Sequence, residues 1–221
     1  MNIRAIITGA TGMVGKGVLL ECLESQQVES VLVIVRKTTG LKHQKMKEMI
    51  LSDFFDLSSI QQDLKGYNAC FFCLGVSSLG MNEEQYTRIT YTLTIHFAET
   101  LVKINPNMVF NYVSGTGTDS SEQGRSMWAR VKGKTENAII GMGFRDAYAF
   151  RPGLIIPEKG VRSDTGWYNS LYVVMKPLFP WLKKRNFATT SAKVGRAMIA
   201  TAIKGYDKKH LENKDINLIA V

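Results

Sequence analysis

Residues 8–15 read TGATGMVG, and the fold of the whole chain turns on them. A short apolar run, IRAIIT (3–8), leads into this stretch. MVGKGVLLECLES (13–25) leaves it, with apolar residues at 14, 18, 19 and 22, the spacing of one helix face. Gly9, Gly12 and Gly15 therefore occupy a strand–turn–helix junction. Gly9 permits the tight turn, and Gly12 lets a pyrophosphate approach the backbone. Gly15 lets the helix pack close to the sheet, and the helix N-terminus faces the phosphates. Three glycines alone are a weak signal. The strand before them, the helix after them and their place near the start of the chain all agree, so the stretch is read as a dinucleotide site. Thr11, Met13 and Val14 complete its candidate contacts. A purely structural turn is the lesser reading.

Outward from this loop, two segment types alternate. Strand-like runs are VESVLVIV (28–35), KEMIL (47–51), YNACFFCL (67–74), MVFNYV (108–113) and DAYAFRPG (146–153). Helical spacing marks 83–106, where Ile89, Leu93, Phe97 and Leu101 recur every fourth residue before the Asn105-Pro106 stop. SMWARVKGKTENAIIGM (126–142) and SAKVGRAMIATAIKG (191–205) also read as helices, and DINLIAV (215–221) as a last strand. The alternation predicts an α/β fold with a doubly wound, mostly parallel sheet covered on both faces. Without an internal repeat or linker, the expectation is one domain over 1–221, in which 155–190 is a less regular lid or substrate segment.

The second strand tells which dinucleotide is expected. An NAD site places Asp or Glu at its end to bind the ribose hydroxyls. Here the residues are Val35-Arg36-Lys37-Thr38. A guanidinium suits a 2′-phosphate through paired charged hydrogen bonds, so NADP(H) is expected and NAD(H) is the lesser choice. The alternative is a solvated basic loop, since Lys42, Lys45 and Lys47 continue the run.

Composition sets wider bounds. The chain has 221 residues, 45% hydrophobic and 21% charged, with a formal charge of +9. That charge admits any anionic partner. Nucleic acid is not expected, because the basic residues are dispersed and no recognition motif accompanies them. Cys70 and Cys73 form a CxxC inside a strand-like run, where residues three apart point to opposite faces, and no second ligand pair follows. With Cys22 they are read as reduced core thiols and no metal site, which suggests a reducing, cytoplasmic setting. The start, MNIRAIITGA, is read as structural rather than a signal. WYNSLYVVMKPLFPWLKKR (167–185) is interrupted by Lys176, Pro177 and Pro180 and is not a membrane span. A helix closing over the site or packing on a second subunit is the favoured reading of that segment, and contact with a membrane surface the lesser one.

Residues 8–15, Leu74-Gly75, Ser114, the WARVK segment and Arg151-Pro152-Gly153 together resemble the atypical short-chain dehydrogenase/reductases. The likeness runs nearly end to end and is nearest the branch of Tat-interacting-protein-like and nucleoside-diphosphate-sugar epimerase-like proteins. The resemblance implies that Asp53 and Phe54 face the adenine, and that Leu74, Gly75 and Val76 line the adenosine ribose. It also implies that Pro152, Gly153 and Leu154 lie beside the nicotinamide carboxamide. Ser114 matches the serine that hydrogen-bonds a substrate carbonyl, and Lys132 the lysine that holds the nicotinamide ribose. Trp128 stands where the family keeps a catalytic tyrosine. An indole N–H donates a hydrogen bond but does not transfer its proton near neutral pH. Trp128 is either a core aromatic or an aromatic wall over the nicotinamide.

Two functions follow. One is an NADP(H)-dependent oxidoreductase of a small carbonyl or alcohol, weak or substrate-restricted, with Tyr112, Tyr148, Tyr168 and Tyr172 as candidate replacement acids. Loss of one general acid usually costs about 10²–10⁴ in rate rather than all of it. The other is an NADP(H)-dependent sensor that turns nothing over. Sugar-nucleotide epimerisation ranks third, since it uses the same tyrosine and a larger substrate domain.

Overall fold

The computed structural model describes residues 2–159 and 188–221. Most of the expected lid (155–190), with the aromatic segment 167–185 and its Tyr168 and Tyr172, lies outside the described residues.

Seven parallel strands form one sheet: β1 (Ile3–Thr8), β2 (Val28–Val35), β3 (Met46–Ile50), β4 (Ala69–Phe72), β5 (Val109–Val113), β6 (Asp146–Arg151) and β9 (His210–Glu212). Their order is β3-β2-β1-β4-β5-β6-β9. Parallel neighbours need crossover connections, which is why the strand-like runs are separated by helices. The winding reverses between β1 and β4, and at such a reversal the loops at the carboxyl ends of the two strands part to leave a crevice. This is the doubly wound α/β fold that the alternation implies.

Strand periodicity divides the core into two layers. Ile6, Leu32, Ile34, Cys70 and Phe72 point to one face. There they meet Phe97 and Leu101 of α3 (Leu93–Ile104) and Ile139 of α4 (Met127–Ile140). Ile7, Val31, Val33 and Phe71 point to the other. On that side lie Val18 and Leu19 of α1 (Met13–Glu24), Val194 and Met198 of α5 (Ser191–Lys204), and Ile216 of α6 (Asn213–Ile219). Cys70 lies in the first layer and Cys73 packs against the second, and all three cysteines are free thiols. The opposed faces expected of the CxxC pair are thus present.

Three elements differ from the sequence reading. DINLIAV is not a strand. Residues 213–219 form α6, opened by a capping box in which the Glu212 N–H donates to Asp215 at 3.3 Å. Asn213, Ile216 and Asn217 are buried at helical spacing, and the last strand is the three residues just before, with Leu211 paired to Phe150. Seven residues with apolar positions at 216, 218 and 219 fit either period, and the cap decides between them. The segment 83–106 is not one continuous α-helix. It starts with α2 (Glu83–Thr87), passes through a π-helical turn (Arg88–Thr92) and continues as α3. At the described ends of the expected irregular segment, β7 (Leu154–Ile156) and β8 (Ala188–Thr190) pair in parallel as a separate two-stranded sheet. Strands of three residues are too short to carry a period. Among the described residues no helix is long and apolar enough to cross a membrane.

The helix behind the phosphate loop is held by close packing. α1 crosses α5 where Gly17 faces Ser191, and a Cβ at Gly17 would lie 2.4 Å from Ser191 Cβ. Two helices approach this closely only where one lacks a side chain. Gly17→Ala should therefore destabilise the fold by about 1–3 kcal/mol, despite alanine's better helix propensity. Denaturant unfolding checks this, and an unchanged or raised midpoint would refute the packing argument.

Candidate functional site

The glycine loop of residues 8–15 owes its shape to missing side chains. Gly9 has φ +69°, and a Cβ there would lie 2.5 Å from the Cys73 carbonyl oxygen. A Cβ at Gly15 would lie 2.2 Å from the Gly9 carbonyl oxygen. Gly15 therefore presses α1 against the loop's own turn, where the sequence reading had it packing against the sheet. Gly12 is different, because its Cβ would meet only the Gly9 oxygen at 3.4 Å. It caps α1 without any side-chain hydrogen bond, so the first N–H groups of the helix are left facing outward. An open glycine beside an uncapped N-terminus of a 12-residue helix fits a phosphate.

This loop forms one wall of a groove of about 650 Å³. Gly9, Thr11 and Gly12 line one side, and Arg36, Lys37 and Thr38 line the other, with Phe54, Leu74 and Gly75 between. Met13, Val14 and Asp53 are not among its lining residues. Met13 begins α1, Val14 packs against the core, and the Asp53 carboxylate accepts the Phe55 N–H at 2.9 Å. A carboxylate does lie beside the Arg36–Thr38 side of the groove, and sequence reasoning missed it. Glu48 of β3 sits under the 36–39 loop, but it accepts hydrogen bonds from the Thr38 hydroxyl at 2.6 Å and from Thr39 N and Oγ1 at 2.9 and 2.7 Å. It supports the loop that presents Arg36 and Lys37.

A second cluster gathers at the carboxyl end of β5. α4 runs past it with Trp128, Lys132 and Glu136 at four-residue intervals, hence on one face. Gly133 pins this helix, since a Cβ there would lie 1.8 Å from the Asp119 carbonyl oxygen. Lys132 Nζ donates to the Ser114 carbonyl oxygen. Burial lowers the Lys132 ammonium to about 8, with Glu136 opposing the shift. Pro152 and Gly153 shape the neighbouring turn. The Thr116 N–H donates to the Pro152 carbonyl, the Gly153 N–H donates to Asn213 Oδ1, both at 3.0 Å, and Leu154 opens β7.

The Ser114 hydroxyl is turned inward. It bonds with the carboxylate of Glu136, with the Phe150 carbonyl a second acceptor at 3.1 Å. Glu136 is fully buried and paired with Arg151, whose Nε donates to both carboxylate oxygens at 3.0 and 3.2 Å. His210 Nε2 lies 3.5 Å from the same carboxylate. Glu136 was not foreseen. Its run, KGKTEN, reads as a solvated helix face, and only its four-residue offset from Lys132 could have signalled it.

Trp128 belongs to neither core layer. It is half-buried, and its ring edge lies along Gly117, where a Cβ would be 3.5 Å from Cη2. The core-aromatic alternative therefore does not describe it; the ring covers the 114–118 loop. Two candidate acids are excluded by their surroundings. Tyr112 is buried in the aromatic layer beside Phe72, and burial pushes its hydroxyl far up. Tyr148 bonds with Asp146 at the amino end of β6, and burial and that carboxylate push it to about 12.

The family model described as Male sterility protein, an NAD-binding family, matches residues 7–102. Protein FMP52, mitochondrial, of Meyerozyma guilliermondii is 24% identical over 207 residues, 91% of this chain and 86% of that protein. Protein HTATIP2 of Rattus norvegicus is 25% identical over 168 residues, 75% and 68% of the two chains. Among solved structures, the Bordetella bronchiseptica enzyme WbmF in complex with NAD+ superposes with a TM-score of 0.69 at 14% identity, covering 99% of this chain and 76% of that one. The short-chain dehydrogenase/reductase YIR035C of Saccharomyces cerevisiae gives 0.64 at 16% identity and 97% coverage of both chains. The solved structures share this chain's Rossmann-like α/β fold, and the family match and the distant relatives are what its sequence is similar to. They overturn the cytoplasmic expectation, because FMP52 relatives from three yeasts are named mitochondrial. Reduced thiols report a reducing environment and do not distinguish one such compartment from another.

The Glu136–Arg151 pair yields a stability prediction. Removing one partner of a buried ion pair costs about 3–5 kcal/mol, because the other charge is left without compensation. Arg151→Met should therefore lower stability by about that amount, and Glu136→Leu with Arg151→Met should recover most of it. Chemical denaturation of both variants measures this. A single variant as stable as the parent would show that the pair is not under load.

Proposed function

We propose, from its fold and its similarity to these NAD-binding proteins, that the chain is an NADP(H)-dependent oxidoreductase of a small carbonyl or alcohol substrate, weak or restricted in range. The observation that carries the reading is the groove in which the uncapped N-terminus of α1 faces Arg36 and Lys37. The helix end suits a pyrophosphate, and the two cations suit an additional phosphate on the ribose. Glu48, held by Thr38 and Thr39, offers the ribose hydroxyls no free carboxylate. Farther along, Lys132 offers N–H donors at the carboxyl end of β5, where a nicotinamide ribose would lie in this superfamily. The reduced cofactor supplies hydride. The FMP52 names point to a mitochondrial setting.

A second reading, an NADP(H)-dependent sensor that turns nothing over, is favoured by one observation: the Ser114 hydroxyl faces Glu136 rather than outward. Carbonyl orientation by Ser114 would require that bond to open.

Calorimetry with NADPH and NADH tests the cofactor claim. A charged hydrogen bond contributes roughly 1.5–3 kcal/mol, so NADPH should bind about tenfold tighter or more, and Arg36→Asp should narrow or reverse the preference. Equal affinities in the parent protein would overturn it. NADPH oxidation against a carbonyl panel separates the two functions. Trp128→Tyr restores a phenol four residues before Lys132 and should speed oxidation. Tight NADPH binding with no turnover in either protein would favour the sensor.

A further inference from the structure

We infer that Lys132 is the proton donor of this site, acting on the reacting oxygen in place of the tyrosine that Trp128 replaces. The inference rests on the oxidoreductase reading. Its ground is which groups the structure brings to the carboxyl end of β5. Trp128 brings an indole, which does not release its proton near neutral pH. The Ser114 hydroxyl is engaged with Glu136. Tyr112 lies inside the aromatic layer, and Tyr148 bonds at the opposite end of β6. His210 turns its Nε2 to the buried Glu136 carboxylate, which leaves Lys132 as the candidate donor among the described residues of that cluster. Lys132 is partly exposed, and one of its three N–H groups is held by the Ser114 carbonyl, which fixes where the others point.

The surroundings suit an acid working near neutral pH. Burial lowers the ammonium to about 8, and Glu136, one turn along the same helix, keeps it from falling farther. Around Glu136 are Arg151 from β6 and His210 from β9. Tyr112 of β5 and Tyr86 of α2, both pushed up by burial, are neutral there. An acid whose pKa lies near the working pH is both protonated and ready to give the proton up. The reduced cofactor, once bound, would supply hydride to the carbonyl carbon and leave oxidised, while the carbonyl π pair moves to oxygen. That oxygen takes a proton from Lys132 Nζ, and the neutral amine regains one from water.

The sign of the pH dependence follows. The protonated form is active, so the rate should be level below about pH 8 and fall as pH rises through it. The test measures kcat at saturating NADPH with an activated ketone, from pH 6 to pH 10, about two units either side of that value. Lys132→Arg keeps charge and donors but cannot release a proton, so it should lose about 10²–10⁴ in kcat. Trp128→Tyr in the Lys132→Arg background should recover part of the loss. Ethylammonium should restore rate to Lys132→Ala, in proportion to its protonated fraction. A Lys132→Arg protein with the parent's kcat and alkaline fall would overturn this inference alone, and failure of ethylammonium to rescue would count against it. A parent protein that binds NADPH but reduces no ketone would overturn the oxidoreductase reading and this inference together.

Discussion

The contact between Gly15 and the carbonyl of Gly9 is the constraint on which the rest of the site depends. α1 can begin this close to the end of β1 only because no Cβ stands between them. A few residues away, Gly9 turns with a positive φ against the backbone of Cys73, where any side chain would collide. These two approaches set the direction of α1 and hence the aim of its first N–H groups. Gly17 against Ser191 and Gly195 against Glu21 and Val18 then hold the helix from behind. A loop built from backbone in this way is rigid because its parts are packed, and the N–H groups it presents are aimed without help from any side chain.

At the other end of the sheet's carboxyl edge the organising contact is electrostatic. A fully buried glutamate would be costly alone, and Arg151 makes it tolerable. Once in place, Glu136 captures the Ser114 hydroxyl and raises the affinity of Lys132 for its proton. Strand β6, helix α4 and the loop after β5 are thereby tied through one carboxylate. Trp128, lying on the 114–118 loop, adds an apolar cover to the same cluster. Around Trp128 the cluster is thus packed, and it is polarised through the one buried carboxylate.

The legible part of this protein was what repeats locally or is covalently close. Apolar periods of two and of 3.6 residues placed six of the seven strands of the main sheet and the long helices, because burial of one face acts on every turn. Glycines at 9, 12 and 15 and basic residues at 36 and 37 were readable for the same reason, since each set lies within one short continuous stretch. Short elements were not readable. The strand at 210–212 and the helix at 213–219 divide ten residues at a cap whose effect is visible only once Glu212 and Asp215 bond across it. The strands 154–156 and 188–190 have no period at all and exist through each other.

What sequence alone determined, then, was the doubly wound fold and the glycine turn between its first strand and first helix. Tertiary structure decided where the charges meet. Glu48 and the threonines of the 36–39 loop are 10 and 9 residues apart, and Ser114 and Glu136 are 22. Glu136 and Arg151 are 15 apart. None of these offsets is a helix or strand period, so no local rule predicts the contact. A buried hydrogen bond or ion pair depends on the three-dimensional closure of several elements at once, and its strength on the water that closure removes. Local order is additive along the chain and can be read from it, whereas desolvation is a property of the assembled core.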